Sequence, residues 1–386
     1  MTRIVGLAVV ALTALAPLLA QDLPIGPSQR FPKPDFVLRD PNFKVEKART
    51  VIKGDGQNGA TFAVYGGTDM VQVSSLSFSA DGKLLAVGSL PNLVDVWDTD
   101  KRRIVRHSPG GTQVALSADG TKLAKDVEGI TIVDVLTGTT LLKIPRTGGF
   151  VKRLSFDPEG KRLLVSANGD DDKVFDVTDG HLLAELLNTQ EGQFSRDGSL
   201  VVGGNAKHLI TWATTDWTKR QDLPGGPDYV VTMAADIEKD LVLVGGPNTA
   251  RLLKLSSGEE IAKVGQGYTN FAAFNQPGTL VLDYAGKGFG VWSSDGKKYC
   301  LEPNLGSNVV ALSPNDEWVA MATGDKETAV MLWKLSTITA ACGVASLGDK
   351  SSSLTKAETA GELSEGVAHT RMRSSRILGD YLSHWG

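Results

Sequence analysis

Val73–Asp98 reads VSSLSFSADGKLLAVGSLPNLVDVWD, and its pattern sets the reading of everything around it. Leu76 and Phe78 alternate with polar residues, Asp81-Gly82 turns the chain, and Leu84 to Val87 form a second apolar run. A looser turn at Pro91-Asn92 leads into a third run that ends in Trp97-Asp98. Short runs of β character separated by turn residues describe an antiparallel meander.

The meander repeats. Its first turn recurs at Gly82, Gly120, Gly160, Gly198, Lys239, Gly278 and Asp316, at intervals of 38, 40, 38, 41, 39 and 38 residues. The surrounding residues agree: SADGKLL, SADGTKL, DPEGKRL, SRDGSLV, the degenerate IEKDLVL, NQPGTLV and SPNDEWV. Asp-Gly and Pro-Gly pairs provide the backbone angles that reverse a chain within a few residues. A second column closes each third strand: Trp97-Asp98, Val133-Asp134, Phe175-Asp176, Trp212-Ala213, Leu253-Lys254, Trp292-Ser293 and Trp333-Lys334. Turns such as Thr137-Gly138, Asp179-Gly180, Ser257-Gly258 and Asp295-Gly296 then lead to a fourth strand, for example Thr140 to Ile144, Leu182 to Leu186 and Glu260 to Val264.

Four strands per period of about 40 residues is the arithmetic of a β-propeller. The Ser-Ala-Asp-Gly turns and the intact Trp97-Asp98 resemble those of the WD-repeat propellers, and the resemblance runs from about residue 60 to 336. It implies an all-β, seven-bladed β-propeller of four-stranded antiparallel blades. The Gly-His pair usual before the first strand is absent, and the acidic residue usual between second and third strands is mostly missing, with Lys207 and Gly286 near its place. Apolar packing between neighbouring sheets is therefore expected to hold the blades. The last unit shows three strands, Asn308 to Ser313, Glu317 to Ala322 and Thr328 to Leu335, and then turns to Ala, Gly and Ser. An N-terminal strand, Ala60 to Tyr65, is expected to complete it and close the ring, which would cover two exposed edges.

The ends divide the chain further. Residues 1–20, with Arg3 ahead of the apolar run from Ile4 to Ala16, read as a signal peptide cut after Ala20. Residues 21–42 hold Pro24, Pro27, Pro32, Pro34 and Pro41 and read as an extended spacer. Residues 43–340 are the expected propeller, and 341–386 a polar, flexible tail. In that tail Ile377, Leu378, Tyr381, Leu382 and Trp385 fall on one helical side beside Arg371, Arg373 and Arg376. That spacing suits either a short docking helix or a mobile end with accidental periodicity.

Composition fits a β-rich chain with a real core. Of 386 residues 41% are hydrophobic, while 43 glycines and 6% aromatics favour many tight turns. A net charge of −4, with no basic run in the repeats, gives no general affinity for nucleic acid. No integral membrane span is expected once the signal is removed, so the protein is read as secreted or periplasmic.

No catalytic constellation is recognisable. The five histidines, His107, His181, His208, His369 and His384, are scattered, and no cysteine pair has metal-finger spacing. Gly286 to Gly290 looks like part of a dinucleotide fingerprint, but it sits at a hairpin with no helix behind it and reads as a turn. Asp170-Asp171-Asp172 would repel one another unless a hard cation intervened. Consecutive residues point in different directions, so these three read as a solvated acidic turn. No cofactor, metal or catalytic residue is assigned.

In a propeller the links between blades and the turns between second and third strands converge on one face. Here that face would carry Phe150, Tyr229 and Tyr268 from the links, and Asn92, Asp171, Lys207, His208, Asn248 and Asp325 from the turns. Aromatic and mixed polar groups on one rim suit a protein partner, although the same aromatics would also fill gaps between blades. The resemblance also implies that Cys300 and Cys342 approach each other closely enough for a disulfide in an oxidising compartment. The expected function is an exported, non-catalytic protein-interaction scaffold. The alternative is an exported propeller enzyme, resembling a metal-dependent lactonase or a quinone-cofactor oxidoreductase.

Overall fold

The computed structural model describes residues 31–39 and 72–343, apart from the short stretches 91–92, 146–147, 206–207, 225–230, 265–266, 279, 286–287, 297–298, 303–308 and 323–328. The chain divides into two compact units, 1–346 and 347–386, and the second lies outside the described residues. So do the expected signal peptide, Ala60–Tyr65 and the amphipathic end of the tail.

The repeated turn is built the same way in several blades. Ser79 Oγ donates to Asp81 Oδ1 at 2.7 Å and accepts from Leu84 N at 3.0 Å, while Gly82 takes φ +71°. Ser117 and Asp119 reproduce this around Gly120, Ser195 and Asp197 around Gly198, and Ser313 and Asn315 around Asp316. Each turn thus pins the start of the next strand with a side chain from the end of the previous one.

Six blades are four-stranded in chain order. The first holds Gln72–Phe78, Leu84–Leu90, Leu93–Asp98 and Arg103–Pro109, and the second Val114–Leu116, Lys122–Asp126, Gly129–Asp134 and Thr140–Pro145. The third holds Val151–Phe156, Arg162–Ala167, Asp172–Asp176 and Leu182–Leu186, and the fourth Gln190–Phe194, Leu200–Gly204, His208–Ala213 and Lys219–Pro224. The fifth runs Thr232–Asp236, Leu241–Gly245, Ala250–Lys254 and Glu260–Val264, and the sixth Thr269–Phe274, Leu280–Ala285, Gly288–Ser293 and Tyr299–Glu302. A further sheet combines Val310–Leu312, Trp318–Ala322 and Val330–Lys334 with Phe36–Leu38 from the other end of the chain. Ala285 pairs with Gly288, so the fingerprint-like glycines do lie at a hairpin.

The expected construction is corrected here. Six blades, not seven, are continuous in sequence, and the last four-stranded sheet is a composite of both ends. Its outer strand is Phe36–Leu38, not Ala60–Tyr65, with Phe36 opposite Leu332 and Leu38 opposite Val330. The propeller therefore starts inside the stretch 21–42 expected to be a spacer. Proline explains how: it is excluded from a strand interior but not from the approach to an edge strand. Pro32 offers its carbonyl to Trp333 Nε1 at 2.9 Å, and Asp35 bonds Leu332 O and Lys334 N at 2.8 and 2.7 Å.

Packing follows from the two-residue period of each strand. In Arg162–Ala167, Leu163 and Val165 face the second blade and Leu164 faces the fourth. The described residues form seven apolar clusters, one at each seam between neighbouring sheets. The first strands also touch in succession around the circle, from Gln72–Phe78 back to it through Val310–Leu312. The chain after Lys334 is a helix, Leu335–Cys342, rather than the irregular segment expected. Ile338 and Leu335 bury its inner side in the seam of the sixth blade and the composite sheet, and Cys342 is bonded to Cys300 on the outer strand of the sixth.

Candidate functional site

Antiparallel order fixes which connections share a face. The turn after each first strand and the turn after each third strand lie at one end. The turn after each second strand and the link to the next blade lie at the other. Hydrogen bonds between links and turns knit this second face together. In the second blade Asp126 Oδ1 accepts from Thr112 N at 2.6 Å and Gln113 N at 2.8 Å. In the third, Asp170 Oδ2 accepts from Gly149 N at 2.7 Å and Phe150 O accepts from Asn168 N at 2.9 Å. A turn carboxylate thus serves the link in these two blades, where the sequence reading had that acidic residue mostly missing.

The acidic turn of the third blade is clamped on three sides. Asp170 takes the amide of Gly149 in the preceding link, Asp171 Oδ1 that of Asn188 in the following link at 2.8 Å, and Asp172 Oδ2 that of Gly192 on the next inner strand at 2.7 Å. The three carboxylates point in three directions. The expectation of a solvated turn is corrected for Asp172, which is fully buried. Burial, opposed by hydrogen bonds from Ser166 and Gly192, pushes its carboxyl up to about 7, and the Glu191 carboxylate adds to the rise.

Inward of this turn lies a charged cluster at the mouth of the channel. Lys152 Nζ meets Glu191 Oε1, Arg153 Nε lies 3.9 Å from Glu191 Oε2, and Arg153 Nη2 donates to Thr232 Oγ1 at 3.3 Å. Three inner strands, from the third, fourth and fifth blades, supply these residues. Glu191 is buried and holds φ +56°, and Asn188 in the same link holds φ +62°. Left-handed backbone at two such residues is costly and needs the surrounding bonds to hold it. Pairwise sequence spacing gives no sign of this cluster, because it joins positions about forty residues apart.

The expected face residues divide. Phe150 is 75% exposed and Tyr268 45%, both on links. Asp171 joins the clamped turn, and Asn248 accepts from Gly267 N through its carbonyl at 2.8 Å. His208 instead lies against Asp222 of the outer strand, 2.7 Å away through Nδ1. Asn92, Lys207, Tyr229 and Asp325 lie outside the described residues. Two further apolar residues on this face, Leu90 at 42% and Leu187 at 56% exposure, escaped the sequence reading, which sought aromatics. Phe150 and Leu187 flank the third blade's acidic turn on either side.

At the opposite end of that blade Asp176, Asp179 and His181 bring three potential ligand atoms within 4.8 Å of one another. His181 Nδ1 is 2.6 Å from Asp179 Oδ1, and Asp176 Oδ1 caps Thr178 N at 2.6 Å. Asp134 caps Thr137 N in the same turn of the second blade, so this is the chemistry of a turn rather than a metal centre. Among the described residues no helix is long and apolar enough to cross a membrane.

Comparison with known proteins agrees with this architecture. Residues 60–98 match the family model "WD domain, G-beta repeat". The chain is 32% identical over 144 residues to WD repeat-containing protein SL1-17 of Schistosoma mansoni, a match covering 36% of this chain. That match spans 47% of the relative, about half its length. Among solved structures, the β-propeller domain of Cps50 (Swd1) from Myceliophteria thermophila superposes with a TM-score of 0.58. It covers 69% of this chain and 96% of that domain at 16% identity, a likeness of fold. With its repeating meander, its ring of sheets and one unit that still carries the signature, this chain belongs to the WD-repeat β-propellers.

Proposed function

We propose that the protein is a non-catalytic scaffold that docks protein partners on the face formed by the inter-blade links and the turns after the second strands, centred on the third blade. The observation that carries this is the distribution of exposed apolar side chains. Leu90, Phe150, Leu187 and Tyr268 all stand on that face, whereas among the described turns of the other face only Leu136 is comparable. Large side chains held on a rigid rim contribute contact area at low entropic cost. We also propose export, on the strength of the apolar leader in residues 1–20 and the Cys300–Cys342 pair, which suits an oxidising compartment.

Affinity capture with three forms of the full chain tests the face. Partners retained by the wild type should be lost from Phe150→Ser and Leu187→Ser and kept by Leu136→Ser, at equal melting temperature. Retention by the first two and loss by the third would reverse the assignment.

A further inference from the structure

The partner's chemistry can be read from what surrounds Phe150. The link that carries it runs over a recess between the second and third blades, lined by Ile130, Ile144, Val151, Val165, Ala167 and Phe175. Gly129, Gly148 and Gly149 complete the lining on the turn and link side. The charges at this edge are of one sign. Exposed Glu128 precedes Gly129, and Asp170 holds Gly149 through its carboxylate, with Asp171 beside it. The cations next along the chain, Lys152 and Arg153, are turned inward onto Glu191 and Thr232. A Cβ at Gly169, the tip of the acidic turn, would meet nothing within 4 Å, so the approach from outside is open.

We propose that this edge takes a basic, apolar segment of a partner protein: a large aliphatic or aromatic side chain seated against Phe150 and the recess, with Lys or Arg beside it reaching Glu128, Asp170 and Asp171. Charge complementarity selects that occupant. An acidic segment would meet three carboxylates with no neighbouring cation turned toward it, and an uncharged one would forgo their attraction. Asp170 and Asp171 each spend one oxygen on a backbone amide, which fixes their orientation and leaves the other oxygen for the partner. The inference rests on the docking face proposed above and adds the identity of what docks there.

The test is a display library of random 11-residue peptides selected on the full chain and then measured against three variants. The combined change Glu128→Gln, Asp170→Asn, Asp171→Asn removes the charges while keeping amide oxygens able to accept from Gly149 and Asn188. Selected peptides should carry a large apolar residue with Lys or Arg within three positions. They should weaken about tenfold in the combined variant and at high salt, an effect expected of several rim ion pairs together. They should also weaken in Phe150→Ser and be unchanged in Leu136→Ser. Peptides that depend on Phe150 but carry acidic or neutral flanks would overturn the basic partner while leaving the docking face standing. Peptides indifferent to Phe150→Ser and lost in Leu136→Ser would overturn the face itself. Failure to select any peptide would overturn the inference as well, and partner capture by the Phe150 and Leu136 variants then decides the face separately.

Discussion

At the scale of single residues, the chemistry concentrates at Asp172. Its carboxyl is held among Ser166, the Gly192 amide, Glu191 and Arg153, and burial is the largest influence on it. A carboxyl whose pKa rises from 3.8 to about 7 keeps its proton in the folded chain after the unfolded chain has lost it. The fold is therefore favoured at the acid end of that window and loses stability as pH climbs from about 4 to about 7. At 1.36 kcal/mol per pKa unit the loss has an upper bound on the order of 4 kcal/mol. Asp172→Asn keeps an acceptor for Gly192 and cannot ionise. Denaturant melts across that range should show the wild type losing stability relative to the variant, and parallel curves would refute the assignment. The carboxylates held below their ordinary range, such as Asp98 beside Lys101 and Asp134 capped by Thr137, act in the opposite sense and only below about pH 4, outside this window.

At the scale of elements, the turns were legible in the sequence and the closing strand was not. Gly82, Gly120, Gly160 and Gly198 stand out because their φ angles, from +65° to +71°, are costly for any other residue, so the composition of the turn carries its geometry. Even the degenerate fifth turn follows the rule with a shift, since the left-handed residue is Asp240 and not the Lys239 that the spacing selects. Phe36–Leu38 is three residues long and follows a proline-rich approach, so no period of two can show in it. What places it is the unpaired edge of Val330–Lys334, some three hundred residues away. The channel cluster was hidden for the same reason, because Arg153, Glu191 and Thr232 meet only once the ring exists. The closing strand makes a sharp prediction. Leu38 is buried against Val73, Trp97 and Leu332, whereas Val37 on the other side is 37% exposed. Leu38→Ala should cost about 2–5 kcal/mol and Val37→Ala well under that. Equal, negligible effects by thermal melting would return this segment to the status of a spacer.

At the scale of the whole molecule, both ends of the chain fasten the same sheet. Phe31 stacks edge-on against Phe289 of the sixth blade and Trp333 of the composite sheet, with centroids 5.8 and 6.0 Å away, and leads into the strand that completes that sheet. From the other direction the helix Leu335–Cys342 buries Ile338 in the same seam, and Cys342 is bonded to Cys300 across 42 residues of sequence. In the chain-entropy view a loop of that length stabilises by about 4 kcal/mol. Because a ring opens at its weakest seam, the two fastenings should not act independently. The check is a double cycle at equal denaturant: the Cys300→Ser, Cys342→Ser pair, a truncation that removes residues 1–42, and both together. With either fastening intact the composite sheet keeps one hold on the ring, so the combined loss should exceed the sum of the separate losses by more than about 0.5 kcal/mol. The Trp333 indole, bonded to Pro32 O, provides a local signal of the same event, its fluorescence shifting with the truncation. Additive losses would mean that the two ends secure separate parts of the propeller and that the ring is not closed cooperatively through this sheet.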